Sequence, residues 1–203
     1  MKTTMAATKS DDLELYRAWR GGDDRAGNEL FSRHFDSVYR FLRNKVPDAA
    51  EDLVQQTFLA CIKANPGFRG ESSFRTYLFT AARSRLYDHL QQRRRKRDPI
   101  DFGVTSLAAL GTTPTGVVAR NERIRLLQIA LQRLPLDQQI ALELAHVEGL
   151  RGVEIAEVLG VPAGTVRSRL HRGIEALKRE IEQLTNDPEL RKAALGSLDG
   201  GDE

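Results

Sequence analysis

Cysteine is nearly missing from these 203 residues: Cys61 stands alone, which excludes an intrachain disulfide and any cysteine-based zinc site. The four histidines, His34, His89, His146 and His171, show no ligand spacing with acids or with one another, so no metal and no cofactor are expected. No apolar run approaches the roughly 20 residues that a membrane span needs. The first stretch, Met1 to Asp12, lacks the apolar centre of a secretory signal. These absences together point to a reducing, cytoplasmic compartment without membrane insertion. The alternation of a half-buried strand is also lacking throughout, which leaves an all-α chain.

Helical spacing is abundant. Leu30, Phe31, Phe35, Val38, Leu42 and Val46 recur at the steps of one apolar helix face, and Pro47 ends that stretch. Leu53, Val54, Phe58 and Ile62 predict a second helix, closed by Asn65-Pro66-Gly67. Phe74, Tyr77, Leu78, Ala81 and Ala82 begin a third, which runs with or without a break toward Arg93. The composition then shifts. Residues 98–119 hold five Pro and Gly residues (Pro99, Gly103, Gly111, Pro114 and Gly116) and only two charges, Asp98 and Asp101, which predicts a flexible linker. Periodicity resumes at Ile124, Leu127 and Leu131, and another helix is expected after Pro135. The organisation expected is therefore a disordered N-terminus (1–12), a helical domain (13–97), the linker (98–119), a second helical domain (120–184) and a flexible tail (185–203).

Charge is unevenly placed. The net charge is only +3, yet Ser72 to Arg97 carries eight basic residues against one acid, and Ala163 to Arg179 carries five against one. The remainder is net acidic. Two basic patches in an otherwise acidic chain suit two contacts with a polyanion, although a solvated basic helix face has the same composition.

The second patch lies in GVEIAEVLGVPAGTVRSRLHR, Gly152 to Arg172. Ala156 is small where two helices must cross, and Gly160 four residues on can adopt a left-handed turn at little cost. Val166, six further, can plug a second helix onto a core. That spacing predicts a helix-turn-helix. On the second helix, Val166, Leu170, Ile174, Leu177, Ile181 and Leu184 line one face. Arg167, Ser168, His171 and Arg172 fall on another, where Arg can fork onto guanine and Ser can donate or accept. Arg169 lies to one side, suited to a phosphate.

Leu134 to Lys178, LPLDQQIALELAHVEGLRGVEIAEVLGVPAGTVRSRLHRGIEALK, closely resembles region 4 of the extracytoplasmic-function sigma factors. AAEDLVQQTFLACIKA, Ala49 to Ala64, resembles the region 2 helix that docks on RNA polymerase. FRGESSFRTYLFTAARSRLYDHLQQRRR, Phe68 to Arg95, resembles the part that melts and reads the −10 element. The resemblance implies a non-enzymatic initiation subunit with two small helical domains. Its region 2 would dock on the clamp helices of the largest polymerase subunit and open the −10 element. Its region 4 would sit on the flap of the other large subunit and read the −35 element. The linker would thread toward the active-site and RNA-exit channels, and an anti-sigma factor would hold the protein inactive.

Position by position, the resemblance assigns polymerase docking to Asp52, Gln55 and Gln56, with Gln56 where the family usually carries Glu. It puts Ser84, commonly Asn, in a loop that captures a flipped −10 base, with Arg83 and Arg85 tracking the strand's phosphates. Arg93, Arg94 and Arg95 follow as phosphate contacts. Arg167, Ser168, His171 and Arg172 match the −35-reading positions, while Ala145 stands where some relatives place a DNA-contacting Arg. Tyr77, Phe74 and Phe79 can either pack in the core or stack on unpaired bases. Three rivals fare worse. A response-regulator-like factor leaves Ala49 to Arg97 unexplained. A nuclease built on Glu51 and Asp52 would use carboxylates that diverge by about 100° on a helix. A purely protein-binding adaptor has no use for a basic recognition helix.

Overall fold

The computed structural model describes residues 3–63, 72–93, 99–111 and 122–196, with side chains from residue 11 onward. Among these residues there is no strand; one isolated antiparallel bridge joins Ser106 to Pro135. The chain divides into two compact units, Met1–Arg43 with Asp48–Arg94, and Asn44–Pro47 with Arg95–Glu203. The all-α, two-domain expectation is met.

The first unit is built from α1 (Thr3–Arg20), α2 (Asp24–Arg43), α3 (Ala50–Lys63) and α4 (Phe74–Arg93). Leu30, Val38 and Leu42 of α2 are buried together with Leu53 and Val54 of α3 and Leu78, Phe79 and Leu86 of α4. Aromatic edges lock this core, with Phe41 on Phe79 at 5.4 Å and Phe31 on Phe58 at 5.3 Å. The expected disorder at 1–12 is replaced in part by α1. Asp12 is buried and accepts a hydrogen bond from His34 Nε2 at 2.8 Å, while Arg33 bridges Asp11 and Asp12. Burying Tyr16 beside Phe74 offsets the entropy of ordering this helix.

The second unit contains α5 (Glu122–Arg133), α6 (Leu136–Leu142), α7 (Gly152–Leu159), α8 (Ala163–Leu184) and α9 (Pro188–Leu195). A π-helical turn, Glu143–Val147, continues α6. Gly149 and Gly160 both take the left-handed conformation, at φ 64 and 65. Gly160 ends α7 as predicted: Val161 N–H reaches back to Ala156 O at 3.0 Å, closing the last turn of α7. Gly173 of α8 lies so close to Leu142 of α6 that an added Cβ would sit 3.1 Å from the leucine Cδ1, so the two helices meet through this glycine.

Two stretches expected to be loose are folded where described. In the linker, Ile100 and Leu107 are buried, with a turn over residues 102–104 and a short 3-10 helix at Ala108–Leu110; residue 98 and residues 112–119 lie outside the described residues. In the tail, Asp187 caps α9 by accepting from the N–H of Glu189 and Leu190, and Pro188 occupies its first turn. Ala194 is fully buried among Leu126, Ala130 and Ile181. A short apolar repeat, Leu190, Ala194 and Leu195, seats this helix on α5 and α8, a signal that the glycines following it obscure in the tail's composition.

Candidate nucleic-acid and polymerase interfaces

The helix-turn-helix is formed by α7 and α8. Ile155, Val158, Leu159 and Val166 are buried between them, and the predicted inward row of α8 is buried or half-buried throughout. Arg167, Ser168, His171 and Arg172 are all exposed on one side of α8. Ser168 Oγ donates to Thr165 O at 2.9 Å, and Arg172 lies back along the helix, its Nε donating to Ser168 O at 3.2 Å. Both are contacts within the helix on an exposed face, easily exchanged for a nucleic-acid partner. Arg169 differs. It is half-buried and paired at 2.7 Å with Asp137, near the start of α6, rather than held out toward solvent. Ala145 is half-buried in the π-helical turn and offers no polar group.

The first unit presents its basic residues on α4, which runs unbroken from Phe74 to Arg93. Ser84 is exposed in the middle of this helix, not in a loop. The reason is local: Leu78, Ala82, Leu86 and Leu90 repeat at four-residue steps, all buried, so the helix continues through Ser84. Arg83 lies 4.3 Å from the centroid of Tyr87, and Arg85 pairs weakly with Asp88 at 3.4 Å. Arg93 is exposed at the end of α4, while Arg94 and Arg95 lie outside the described residues. Burial, and then the neighbouring Arg93 charge, push the His89 imidazole below its usual range, so the ring is neutral beside this basic end.

The aromatic alternatives resolve toward the core. Phe74 and Phe79 are buried. Tyr77 is half-buried and hydrogen-bonded with Cys61. Burial raises the Tyr77 hydroxyl to about 12 and the Cys61 thiol to about 11. At that value the thiol stays protonated and unreactive at neutral pH.

On α3, Asp52, Gln55 and Gln56 are exposed on one side, opposite Leu53, Val54 and Thr57. Beside them sits a feature missed in the sequence, an apolar groove lined by Phe35, Tyr39, Phe58, Leu59 and Ile62. Phe35, Leu59 and Ile62 are each more than 40% exposed. Periodicity assigned Phe35 and Ile62 to the buried face. The available signal was an apolar stripe wider than the core of four short helices can cover, at 45% exposure for Phe35.

Comparison with known proteins places this geometry. Residues 30–96 match the family model for sigma-70 region 2, and residues 124–177 match sigma-70 region 4. The chain belongs to the sigma-70 family of RNA polymerase sigma factors, in its extracytoplasmic-function group. It is 31% identical to the RNA polymerase sigma-H factor of Pseudomonas aeruginosa, over 89% of this chain and 98% of that protein. It is 30% identical to the extracytoplasmic-function sigma-E factor of Haemophilus influenzae, over 88% of this chain and 99% of that protein. Two solved structures share the fold. CnrH, in complex with the cytosolic domain of CnrY, superimposes with a TM-score of 0.64 at 22% identity, over 86% of this chain and 99% of that one. The Bartonella quintana sigma factor RpoE, in complex with the anti-sigma factor NepR, superimposes with a TM-score of 0.59 at 21% identity, over 76% and 96%. The chain is thus not an enzyme: it binds core RNA polymerase and directs it to promoters, and the polymerase performs the chemistry. No helix among the described residues is long and apolar enough to cross a membrane.

Proposed function

We propose the following division of labour within this sigma factor. Arg167, Ser168, His171 and Arg172 read the −35 element from the major groove, with α8 as the recognition helix. The carrying observation is that these four side chains share one exposed face of α8 while Val166, Leu177 and Ile181 anchor the opposite face in the core. Arg83, Ser84, Arg85 and Arg93, followed by Arg94 and Arg95, contact the −10 region. The arginines serve phosphates, and Ser84, with one hydroxyl, makes a poorer base contact than an amide would. Asp52, Gln55 and Gln56 dock on the clamp helices of the largest polymerase subunit, where a carboxylate and two amides suit a basic coiled coil. Region 4 rests on the flap of the other large subunit. The protein works in the cytoplasm and is held inactive by an anti-sigma factor, the kind of partner bound to RpoE of Bartonella quintana.

Run-off transcription with core polymerase and a genomic promoter pool tests this reading. Discrete transcripts that share spaced −35 and −10 elements are expected only when the chain is present. Polymerase binding without any transcript would make the chain an inhibitor or adaptor. No polymerase binding would leave only a helix-turn-helix DNA binder.

A further inference from the structure

The linker segment before residue 112 is bonded to region 4 at a telling place. Helix α6 begins after Pro135, whose side chain cannot cap it. Its first two N–H groups instead donate to linker carbonyls: Leu136 N to Thr105 O at 3.0 Å, and Asp137 N to Phe102 O at 3.1 Å. Leu107, fully buried, and Ile100 anchor the segment, and the Ser106–Pro135 bridge aligns it. The segment keeps its own shape, since Asp101 Oδ1 accepts from Gly103 N–H and Asp101 O from Thr105 N–H. One residue thus receives the linker and touches the recognition helix. Asp137 gives its N–H to Phe102, and its carboxylate holds Arg169 Nη2 of α8 at 2.7 Å. The Arg169 Nη1 atom, by contrast, is buried with no hydrogen-bond acceptor among the described residues.

We propose that Asp137 is a positioning residue that couples linker docking to the −35-reading helix. With the linker docked, the start of α6 is capped from outside, and the Asp137 carboxylate stays on Arg169, keeping that arginine off the DNA. When the linker lifts, two N–H groups at the start of α6 lose their acceptors, a costly state for a helix end. The Asp137 carboxylate belongs to the first turn of that helix, and a carboxylate there is favoured at a helix N-terminus. It turns to that end and releases Arg169, which leaves a half-satisfied site for a phosphate oxygen of the promoter duplex. The proposal rests on α8 being the DNA-reading helix and adds a control on how many phosphates it engages.

The test is the salt dependence of binding by the full chain to a −35 duplex, at low ionic strength where phosphate contacts alone give measurable affinity. Two variants free Arg169 by different routes: the pair Ile100→Asn with Leu107→Asn, which lifts the linker, and Asp137→Asn, which leaves the linker docked. Each should steepen the slope of log K against log salt by about 0.9, one phosphate. Both gains should vanish when Arg169→Ala is added. Amide exchange at residues 136 and 137 should quicken in the linker variant and stay slow in Asp137→Asn. An unchanged slope in Asp137→Asn, which keeps the linker's apolar anchors, overturns the coupling even if the linker variant folds poorly. So does a gain that survives Arg169→Ala. Arg172→Ala separates the underlying reading: if that variant leaves discrimination between matched and mismatched −35 duplexes unaltered, α8 is not the DNA face.

Discussion

The two basic helices of this sigma factor, α4 and α8, look alike in composition and are built on opposite plans. Helix α8 is divided cleanly, with an apolar row inward and Arg167, Ser168, His171 and Arg172 outward. Helix α4 buries residues on several sides, including Phe74, Thr76, Phe79, Ala82 and Leu90. Its arginines are correspondingly committed, Arg83 to the Tyr87 ring and Arg85 to Asp88. A recognition helix for duplex DNA must leave a whole face free to enter a groove. A helix that tracks a single strand can serve from its edges and its end, because phosphates are reached by long side chains at almost any angle. The difference explains why face assignments made from sequence hold for α8 and are less telling for α4.

Mutations can break or sharpen this contrast. The largest effect is expected in the core behind α4. Phe79→Ala removes a fully buried ring packed on Phe41 and should cost about 3–5 kcal/mol, read by urea unfolding followed on the fluorescence of Trp19 in the same unit. A loss below about 1 kcal/mol would mean the ring is not a core residue and would revive base stacking. On α8 the pattern should invert. Arg172→Ala should leave unfolding within about 0.5 kcal/mol of the parent, yet weaken −35 discrimination by about 1–3 kcal/mol in holoenzyme binding to matched and mismatched promoters. Loss of polymerase binding in that variant would show that the face is wrongly assigned.

A smaller effect concerns the turn that sets α8 against α7. Gly160→Ala forces a side chain into φ 65 and should cost about 1–2 kcal/mol in thermal unfolding. No Cβ clash adds to that, since the surroundings of Gly160 are open. The smallest effect is a pH limb specific to the α3–α4 core. The Cys61 thiol ionises at 9.0 when unfolded and about 11 when folded, so the folded state resists its ionisation. Its contribution is fully present below pH 9 and is lost as pH rises toward 11. Cys61→Ala should flatten the fall in stability over that interval, as measured by urea midpoints at stepped pH; an identical alkaline limb in both proteins would disprove the burial argument.

Much was legible in advance because it is written in short-range spacing. The Ala156–Gly160–Val166 pattern fixes a helix-turn-helix through local sterics, and the row from Val166 to Leu184 assigns the faces of α8 before any tertiary contact is known. Helix existence was similarly legible for α2, α3, α5 and α6. Failures fell where a nearby signal misled. Proline and glycine in 98–119 suggested a free linker, but Ile100 and Leu107 are buried and the carbonyls of Phe102 and Thr105 accept from the start of α6, about 30 residues on. A family habit put Ser84 in a loop, and the four-residue apolar rhythm of α4 overrode it.

The sequence by itself determined the class of protein, the two helical domains, the helix-turn-helix and the outward direction of Asp52, Gln55 and Gln56, because the spacings that carry them are short-range. Only the tertiary structure decided that Phe35, Leu59 and Ile62 line an open groove, that Tyr77 is held by Cys61, and that Arg169 is paired with Asp137, 32 positions away. Such pairings follow from how helices far apart in the chain pack, and one-dimensional periodicity says which face turns inward without saying what it meets there.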